Sequence, residues 1–236
     1  MRHKCRKRRN KLFLTVLGLI LLAAILAVLY LFGIIPSITF NAEHFGIETA
    51  ISSVDFNGNG NDDYKDFLLG AKKDAENHPT YDGSYYAGGY PPDHIGVCTD
   101  VVWRAFKTAG YSLRDMVDQD IRNRPDAYTH VSSRDKNIDF RRVGNLYDFF
   151  SEYAVELTTD INDIDEWQPG DIVFFGNGQH IGIVSDIRNF KGQTYIIHNG
   201  GQPIREEDLF RRAKPTAHFR FDSSQIDTDI LIAWSD

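Results

Sequence analysis

GVCTDVVWRAFKTAG, at residues 96–110, predicts a short amphipathic helix that begins near a cysteine. Its apolar residues recur at helical spacing and form one stripe: Val102, Ala105, Phe106 and Ala109. Gly110 ends the helix, because glycine commonly follows the last helical turn. Cys98 then lies in the first turn, where unpaired backbone N–H groups and the helix dipole are expected to lower the pKa of its thiol. The alternative is a small buried hydrophobic residue, as most free cysteines are.

The first 35 of the 236 residues predict a membrane anchor. Residues 1–11 carry seven Lys or Arg and no acid, and residues 12–35 contain no charged side chain. About 20 apolar residues cross a hydrocarbon core, whereas the apolar region of a cleaved signal peptide has only about 7 to 15. We therefore expect a single transmembrane helix at 12–35 with the basic flank 1–11 in the cytoplasm. A connector at 36–54 and one extracytoplasmic domain at 55–236 follow.

Charge is distributed unevenly along the chain. The net charge of −7 combines the basic N-terminus with an acidic remainder, in which 19 Lys and Arg face 33 Asp and Glu. The outer part therefore carries about −14, which argues against nucleic acid as a partner because nucleic-acid binding depends on neutralising phosphates. The expected partners are the membrane, through the N-terminal helix, and a substrate.

The predicted topology separates the two cysteines. Cys5 lies on the cytoplasmic flank and Cys98 on the far side of the membrane, so they cannot form a disulfide with each other. A single unpaired thiol in an oxidising compartment needs a reason to persist, and catalysis is the commonest one. Topology therefore strengthens the interpretation of Cys98 as a reactive residue.

Residues 55–66, DFNGNGNDDYKD, match much of a calcium-binding loop of the EF-hand type. Oxygen-bearing side chains occupy five ligand positions, and a glycine permits the sharp turn at the sixth. The candidate ligands are Asp55, Asn57, Asn59, Asp63 and Asp66. The alternative is an Asn/Gly turn followed by an acidic helix start. The expectation is a structural calcium ion or this turn, and no cofactor for catalysis.

The rest of the chain changes from helical to strand periodicity. Helices are predicted from Tyr64 to Ala75, from Ser112 with Asp115 in a capping-box relation, and around residues 146–153. Strands are predicted at 171–175, 180–186, 193–198 and 217–221. Helices followed by a strand meander indicate an α+β domain with a largely antiparallel sheet.

Two histidines stand at the ends of neighbouring predicted strands. His180 begins one strand and His198 ends the next, and adjacent strands lie about 5 Å apart. A cysteine nucleophile needs a base within hydrogen-bonding reach, and histidine is the usual one. We expect Cys98 to be the nucleophile, His180 its base and His198 the residue that orients His180. For either histidine alone, the alternative is a structural role.

These segments resemble the papain-like NlpC-type cell-wall peptidases and amidases. The similarity rests on the segments Gly88-Gly89, Cys98 at a helix start, PGDIV at 169–173, HIGIV at 180–184 and IHN at 197–199. More closely, GYPP at 89–92, GVCTDVV at 96–102 and DFRRV at 139–143 are similar to the bacterial domain-of-unknown-function family 1287, over roughly residues 55–222. The resemblance implies a papain-like fold, with helices packed on a mainly antiparallel sheet. It also implies Cys98, His180 and His198 as a triad, and a substrate-positioning Tyr85.

Arg141 and Arg142 are candidate substrate-binding residues. Guanidinium groups pair well with carboxylates, which the stem peptides of peptidoglycan carry. The alternative is that both pair with acids of the domain itself. Together with the predicted anchor and topology, the resemblance implies an extracytoplasmic cysteine hydrolase of amide or peptide bonds that acts on peptidoglycan. Two alternatives stay open: a papain-like amidase or acyltransferase on lipid or protein substrates, and a non-catalytic wall-binding module.

Overall fold

The computed structural model of the protein describes residues 2–31 and 38–235, with side chains from residue 11 onward. Residues 32–35 of the predicted transmembrane segment and residues 36–37 of the connector lie outside the described residues. The chain divides into two units, one extending to Ser37 and one beginning at Ile38.

The N-terminal unit contains one long helix, α1 (Arg2–Leu31). Its segment Lys11–Leu31 has a mean hydropathy of 3.0 and none of it is buried. This length and composition allow it to cross a membrane, and a signal sequence has the same properties. The apolar helix is therefore confirmed, while its retention as an anchor and the topology of the chain stay predictions.

The second unit is a mixed α+β domain, as predicted. Its helices are α2 (Asp63–Asn77), α3 (Cys98–Thr108), α4 (Leu113–Asn123) and α5 (Val143–Tyr153). Its strands are β1 (Thr80–Tyr81), β2 (Ile95–Gly96), β3 (Val155–Glu156), β4 (Ile172–Phe175), β5 (His180–Arg188), β6 (Thr194–Ile197), β7 (Glu206–Glu207) and β8 (Pro215–Arg220). Short 3₁₀ turns occur at Glu43–Phe45, Pro125–Ala127, Asp139–Arg141, Leu209–Arg211 and Ser223–Gln225.

Six strands form one antiparallel sheet in the order β3-β8-β4-β5-β6-β7. The four predicted strands are confirmed as β4, β5, β6 and β8. The edge strands β3 and β7 are not predicted from the sequence, because two residues are too few to show a period. A separate parallel pair, β1 and β2, joins the chain after α2 to the segment that leads into α3.

The core lies where α3 packs against α2 and β5. The predicted apolar stripe of α3 is confirmed, since all four of its residues are fully buried. Phe106 of this stripe packs against Phe67 of α2 with ring centroids 4.6 Å apart, and burying each ring contributes about 1.5–3 kcal/mol. Gly70 allows the close approach of the two helices, because a Cβ there would lie 2.8 Å from the Cα of Ala105.

The starts of α3 and α4 differ from the sequence interpretation. The predicted capping box at Ser112 is wrong, because its side chain caps no backbone N–H of the first turn of α4 and instead contacts the side chain of Asp115. Half of such a motif occurs instead at α3, where the Asp100 carboxylate accepts the backbone N–H of Val97 at 2.7 Å. Valine has no side-chain acceptor, so the other half of a capping box cannot form there.

Candidate active site

Cys98 is the first residue of α3 and is only 5% exposed. The backbone N–H groups of Ile181, Thr99 and Cys98 itself stabilise its thiolate, but burial outweighs them and raises the pKa of the thiol to about 11. The predicted lowering of the Cys98 pKa is therefore wrong. The helix start does favour the anion as expected, but the cost of desolvating the charge is larger.

Asp100 fixes the start of α3. Its fully buried carboxylate accepts the indole N–H of Trp103 at 2.7 Å as well as the N–H of Val97. The Arg141 guanidinium donates to both oxygens, at 2.8 and 2.9 Å. A buried carboxylate needs such partners to offset desolvation. The resulting network holds the backbone that presents Cys98.

Arg141 does not face a substrate. Only 1% of its side chain is exposed, and beyond Asp100 it donates to the backbone carbonyl of Ser84 at 2.9 Å. The substrate-binding prediction for Arg141 is therefore wrong, and the alternative, pairing with an acid of the domain, is the one observed. The reason is physical: a buried Asp100 requires a cation, and Arg141 supplies it.

His180 begins β5, directly after the turn that links it to β4. The N–H of the next residue, Ile181, is one of the groups that stabilise the Cys98 thiolate, so the sulfur lies beside the start of β5. Burial, His198 and Arg212 together lower the pKa of His180 to about 3. His180 is thus neutral at neutral pH and has a lone pair available to accept a proton.

His198 follows β6 and contacts His180 directly. The Nε2 atom of His180 lies 2.8 Å from the Nδ1 atom of His198, and the two rings are perpendicular. Gly182 makes room for this contact: a Cβ there would lie 2.9 Å from the carbonyl oxygen of Ile197 and 3.1 Å from the Cβ of His198. The structure therefore brings together the two histidines that the sequence predicts to be neighbours.

A buried glutamate completes the row of contacts. The Nε2 atom of His198 lies 3.0 Å from Oε1 of Glu207, and the Arg212 guanidinium pairs with the same oxygen. Burial lowers the pKa of His198 despite the opposing effect of Glu207. Glu207 is not predicted from the sequence. The available signal is the position of Glu206-Glu207 in the segment after His198, where an antiparallel chain can return past the histidine.

Asn199 connects the sheet to the segment that precedes Cys98. Its amide donates to the carbonyls of Gly96 at 2.9 Å and Pro79 at 3.3 Å. Because Gly96 stands two residues before Cys98 and Asn199 one residue after His198, this contact joins the helix that carries Cys98 to the histidine end of the sheet.

The sequence profile described as "Domain of unknown function (DUF1287)" matches residues 68–221. The chain belongs to the DUF1287 family. It is 36% identical over 162 residues to "Uncharacterized protein YijF" of Escherichia coli (strain K12). These aligned residues cover 64% of this chain and 78% of that protein. No solved structure matches the chain. The residues from Cys98 to Arg212 that form the site all lie within the DUF1287 match.

Tyrosines near the site differ from the prediction. Tyr85, in the DUF1287 segment before α3, is 55% exposed and its hydroxyl accepts from the side-chain amide of Asn137 at 2.9 Å. Among the contacts described for residues 38–235, none joins Tyr85 to Cys98, so its substrate-positioning role stays a prediction. Tyr81 of β1 is closer to Cys98, since burial and then Cys98 raise the pKa of its hydroxyl.

Arg142 has an accessible side chain, unlike Arg141. It is 45% exposed and its guanidinium lies 3.3 Å from a carboxylate oxygen of Asp139. It also borders a cavity of about 490 Å³ that includes Asn145 on α5 and Asn177 in the turn before His180. The pairing with an acid is observed here too, but exposure leaves Arg142 free to contact a ligand.

The predicted calcium loop forms an Asn/Gly turn outside the DUF1287 match. Asp66 accepts the side-chain amides of Asn57 at 2.8 Å and Asn59 at 2.9 Å, and Asp55 accepts backbone N–H groups of the turn. Asp63 is committed elsewhere, because its carboxylate accepts the hydroxyls of Tyr111 and Ser223.

Asp63 therefore does not fit the predicted calcium ligand set, and that part of the prediction is wrong. Within residues 38–235, no group of three or more His, Cys, Asp or Glu side chains is arranged to hold a metal ion. A structural calcium ion at the remaining loop residues stays a prediction. The Asn/Gly turn, the alternative interpretation of residues 55–66, is the conformation observed.

Proposed function

We propose that this DUF1287 protein is a cysteine hydrolase of amide or peptide bonds. The observation that supports the proposal is the placement of the Cys98 sulfur at the start of β5, beside a neutral His180 that His198 orients. A cysteine near the strand that carries a histidine, with a second histidine in contact with the first, is the pattern expected of covalent catalysis by cysteine. The papain-like fold implied by the NlpC-type resemblance is part of the same proposal.

The neutral state of both groups determines the first step. A thiol with a pKa of about 11 and an imidazole with a pKa of about 3 do not form an ion pair in the resting protein. The Cys98 proton therefore moves to His180 as the sulfur attacks the substrate carbonyl, and a C–S bond forms while the C=O π electrons move to oxygen. Backbone N–H groups at the start of α3 are suited to stabilise that oxyanion.

The second half of the reaction returns the protein to its starting state. The oxyanion collapses, the C–N bond breaks, and His180 gives its proton to the departing amine. Water, deprotonated by His180, then attacks the thioester, and the thiolate of Cys98 leaves and recovers the proton. Each step uses groups of this chain and water alone.

Peptidoglycan is the substrate class we propose. The support is the resemblance of the site segments to NlpC-type wall peptidases, together with an N-terminal helix long and apolar enough to cross a membrane. Arg142, exposed beside the 490 Å³ cavity, is available for the carboxylates of a stem peptide.

The test compares full-length protein and the Cys98→Ala variant on purified sacculi. Cys98→Ala is expected to abolish the release of soluble muropeptide fragments, measured by liquid chromatography and mass spectrometry. Cys5→Ala, which removes the other thiol, serves as the matched control and should digest at the wild-type rate. Undiminished release by Cys98→Ala would refute the proposed mechanism.

A wall-binding module is the second candidate, and the burial of Cys98 favours it. A thiol that is 5% exposed with a raised pKa has the properties of an inert structural cysteine. Co-sedimentation with sacculi separates the two candidates. A module binds sacculi and releases no fragments, and Cys98→Ala then changes neither property.

A further inference from the structure

The contacts behind His180 determine where its hydrogen lies. Three groups stand in a row: His180 Nε2 lies 2.8 Å from His198 Nδ1, and His198 Nε2 lies 3.0 Å from Glu207 Oε1. Each contact at such a distance needs one hydrogen between its two atoms. A neutral imidazole carries a single N–H, so the group that donates at one end of the row determines which atom donates at every other contact.

Glu207 is that end. Its side chain is 1% exposed, and the Arg212 guanidinium pairs with the same Oε1 atom that faces His198, which favours the carboxylate form. A carboxylate only accepts hydrogen bonds, so Nε2 of His198 must carry the hydrogen. The Nδ1 atom of His198 is then a bare acceptor, and Nε2 of His180 must donate to it. The lone pair of His180 is consequently on Nδ1.

Gln202 leaves this row undisturbed. Its amide nitrogen lies 3.2 Å from both ring nitrogens of His198, which places it over the ring face, because an in-plane atom at that distance from both would collide with Cε1. The amide is held there by accepting the N–H of Gly200 at 2.7 Å and donating to the carbonyl of His198 at 3.0 Å. The in-plane positions of His198 therefore belong to His180 and Glu207.

We propose that Glu207, held by Arg212, is a positioning residue that fixes the tautomers of His198 and His180 and so keeps the lone pair of His180 on Nδ1 for the Cys98 proton. The tautomer assignment stands on the contacts alone, whereas its catalytic consequence rests on the proposed hydrolase function. Without the carboxylate, the row can reverse: His198 then donates from Nδ1, and the hydrogen of His180 moves to Nδ1. A His180 ring with its hydrogen on Nδ1 cannot accept the proton of Cys98 at that atom.

The direct test is long-range ¹H–¹⁵N correlation spectroscopy of ¹⁵N-histidine-labelled full-length protein at pH 7. Signals are assigned by their loss in His180→Gln and His198→Gln. Both rings are expected to show the Nε2–H tautomer in the wild-type protein. An Nδ1–H tautomer at either ring would overturn the proposal, and this outcome needs no variant of Glu207.

Glu207→Gln and its neighbour Glu206→Gln form a matched pair, because each removes one charge from the same two-residue strand. Glu206 contacts Lys72 and Ser185 and not His198. Glu207→Gln should populate Nδ1–H tautomers, while Glu206→Gln should keep the wild-type spectrum. A Glu207→Gln spectrum identical to the wild type would also overturn the proposal.

Activity gives the catalytic readout separately. General-base catalysis contributes about 10²- to 10⁴-fold to a rate, so Glu207→Gln should lower kcat on sacculi by about 10²-fold with little change in KM, and Glu206→Gln should leave both unchanged. If wild-type protein digests nothing yet shows the expected tautomers, the proposed function fails and the tautomer assignment stands. If both proteins digest equally, the positioning role is refuted.

Discussion

Two acid–arginine pairs support the site, and they differ in how completely the protein encloses them. Asp100 and Arg141 are both buried, 0% and 1% exposed, and the pair is bidentate. Glu207 is equally buried, but 29% of the Arg212 side chain is exposed. The first pair holds the helix that carries the sulfur, and the second lies behind the imidazoles.

One pair therefore supports the fold, and the other contacts the histidines of the proposed catalytic site. Loss of the Asp100 carboxylate would leave the buried Arg141 guanidinium without its counter-ion. The indole N–H of Trp103 and the backbone N–H of Val97 would lose their acceptor. After loss of Glu207, the exposed part of Arg212 can be hydrated. Stability should therefore depend on the Asp100 pair, and the state of the imidazoles on the Glu207 pair.

The largest expected effect on stability is that of Asp100→Asn. Removing one partner of a buried ion pair costs about 3–5 kcal/mol, because the remaining charge stays desolvated. The free energy of unfolding, measured by urea denaturation and circular dichroism, should fall by this amount.

Asp115→Asn is the control for Asp100→Asn. Asp115 pairs with Arg114 and Lys136 at the surface, and such pairs contribute about 0–1 kcal/mol. Equal losses for the two variants would show that the Asp100 network is not the support of α3.

A smaller effect is expected from Gly182→Ala, which tests whether close strand packing seats the imidazoles. A Cβ would lie 2.7 Å from a methyl carbon of Ile196 and 2.9 Å from the Ile197 carbonyl, and overpacking of this kind costs about 1–3 kcal/mol. Thermal denaturation measures the loss. Gly83→Ala is the matched control, since its Cβ would meet only Val97 at 3.7 Å. Equal melting temperatures of the two variants would argue against tight packing at Gly182.

A pH dependence of stability is expected from His180. Its pKa is lowered from 6.5 to about 3 in the folded state. Below pH 6.5 the unfolded chain binds a proton at this residue and the folded protein does not, so the free energy of unfolding falls as the pH falls from about 6.5 to about 3. Wild-type protein should lose more stability than His180→Gln between pH 7 and pH 4.5, measured by urea denaturation at each pH. Parallel losses would contradict a neutral, buried His180.

Periodicity predicts the parts of the fold that are long enough to repeat. The helix at α3 and the strand beginning at His180 are both found where the sequence places them, because each buries a regular apolar face. β7 is not predictable in this way, since two glutamates carry no apolar pattern and their strand conformation comes from pairing with β6. Glu207, the residue on that strand which contacts His198, is missed for the same reason.

Spacing also predicts the contact between His180 and His198, because strand ends meet at one edge of a sheet. Spacing alone does not predict which side chains are already paired. Arg141 and Asp63 appear available in the sequence, yet each is used inside the protein, by Asp100 and by Tyr111 with Ser223. The protonation state of Cys98 is likewise decided by burial, which depends on packing and not on its position in a helix.

In the proposed mechanism the Cys98 sulfur bonds to the substrate carbonyl. Acid quenching of full-length protein during digestion of sacculi, followed by proteolysis and mass spectrometry, measures this directly. We predict an acyl mass on the peptide that contains Cys98, which is removed by hydroxylamine. Fragment release with Cys98 unmodified, and at the same rate in Cys98→Ala, would rule out covalent catalysis by Cys98.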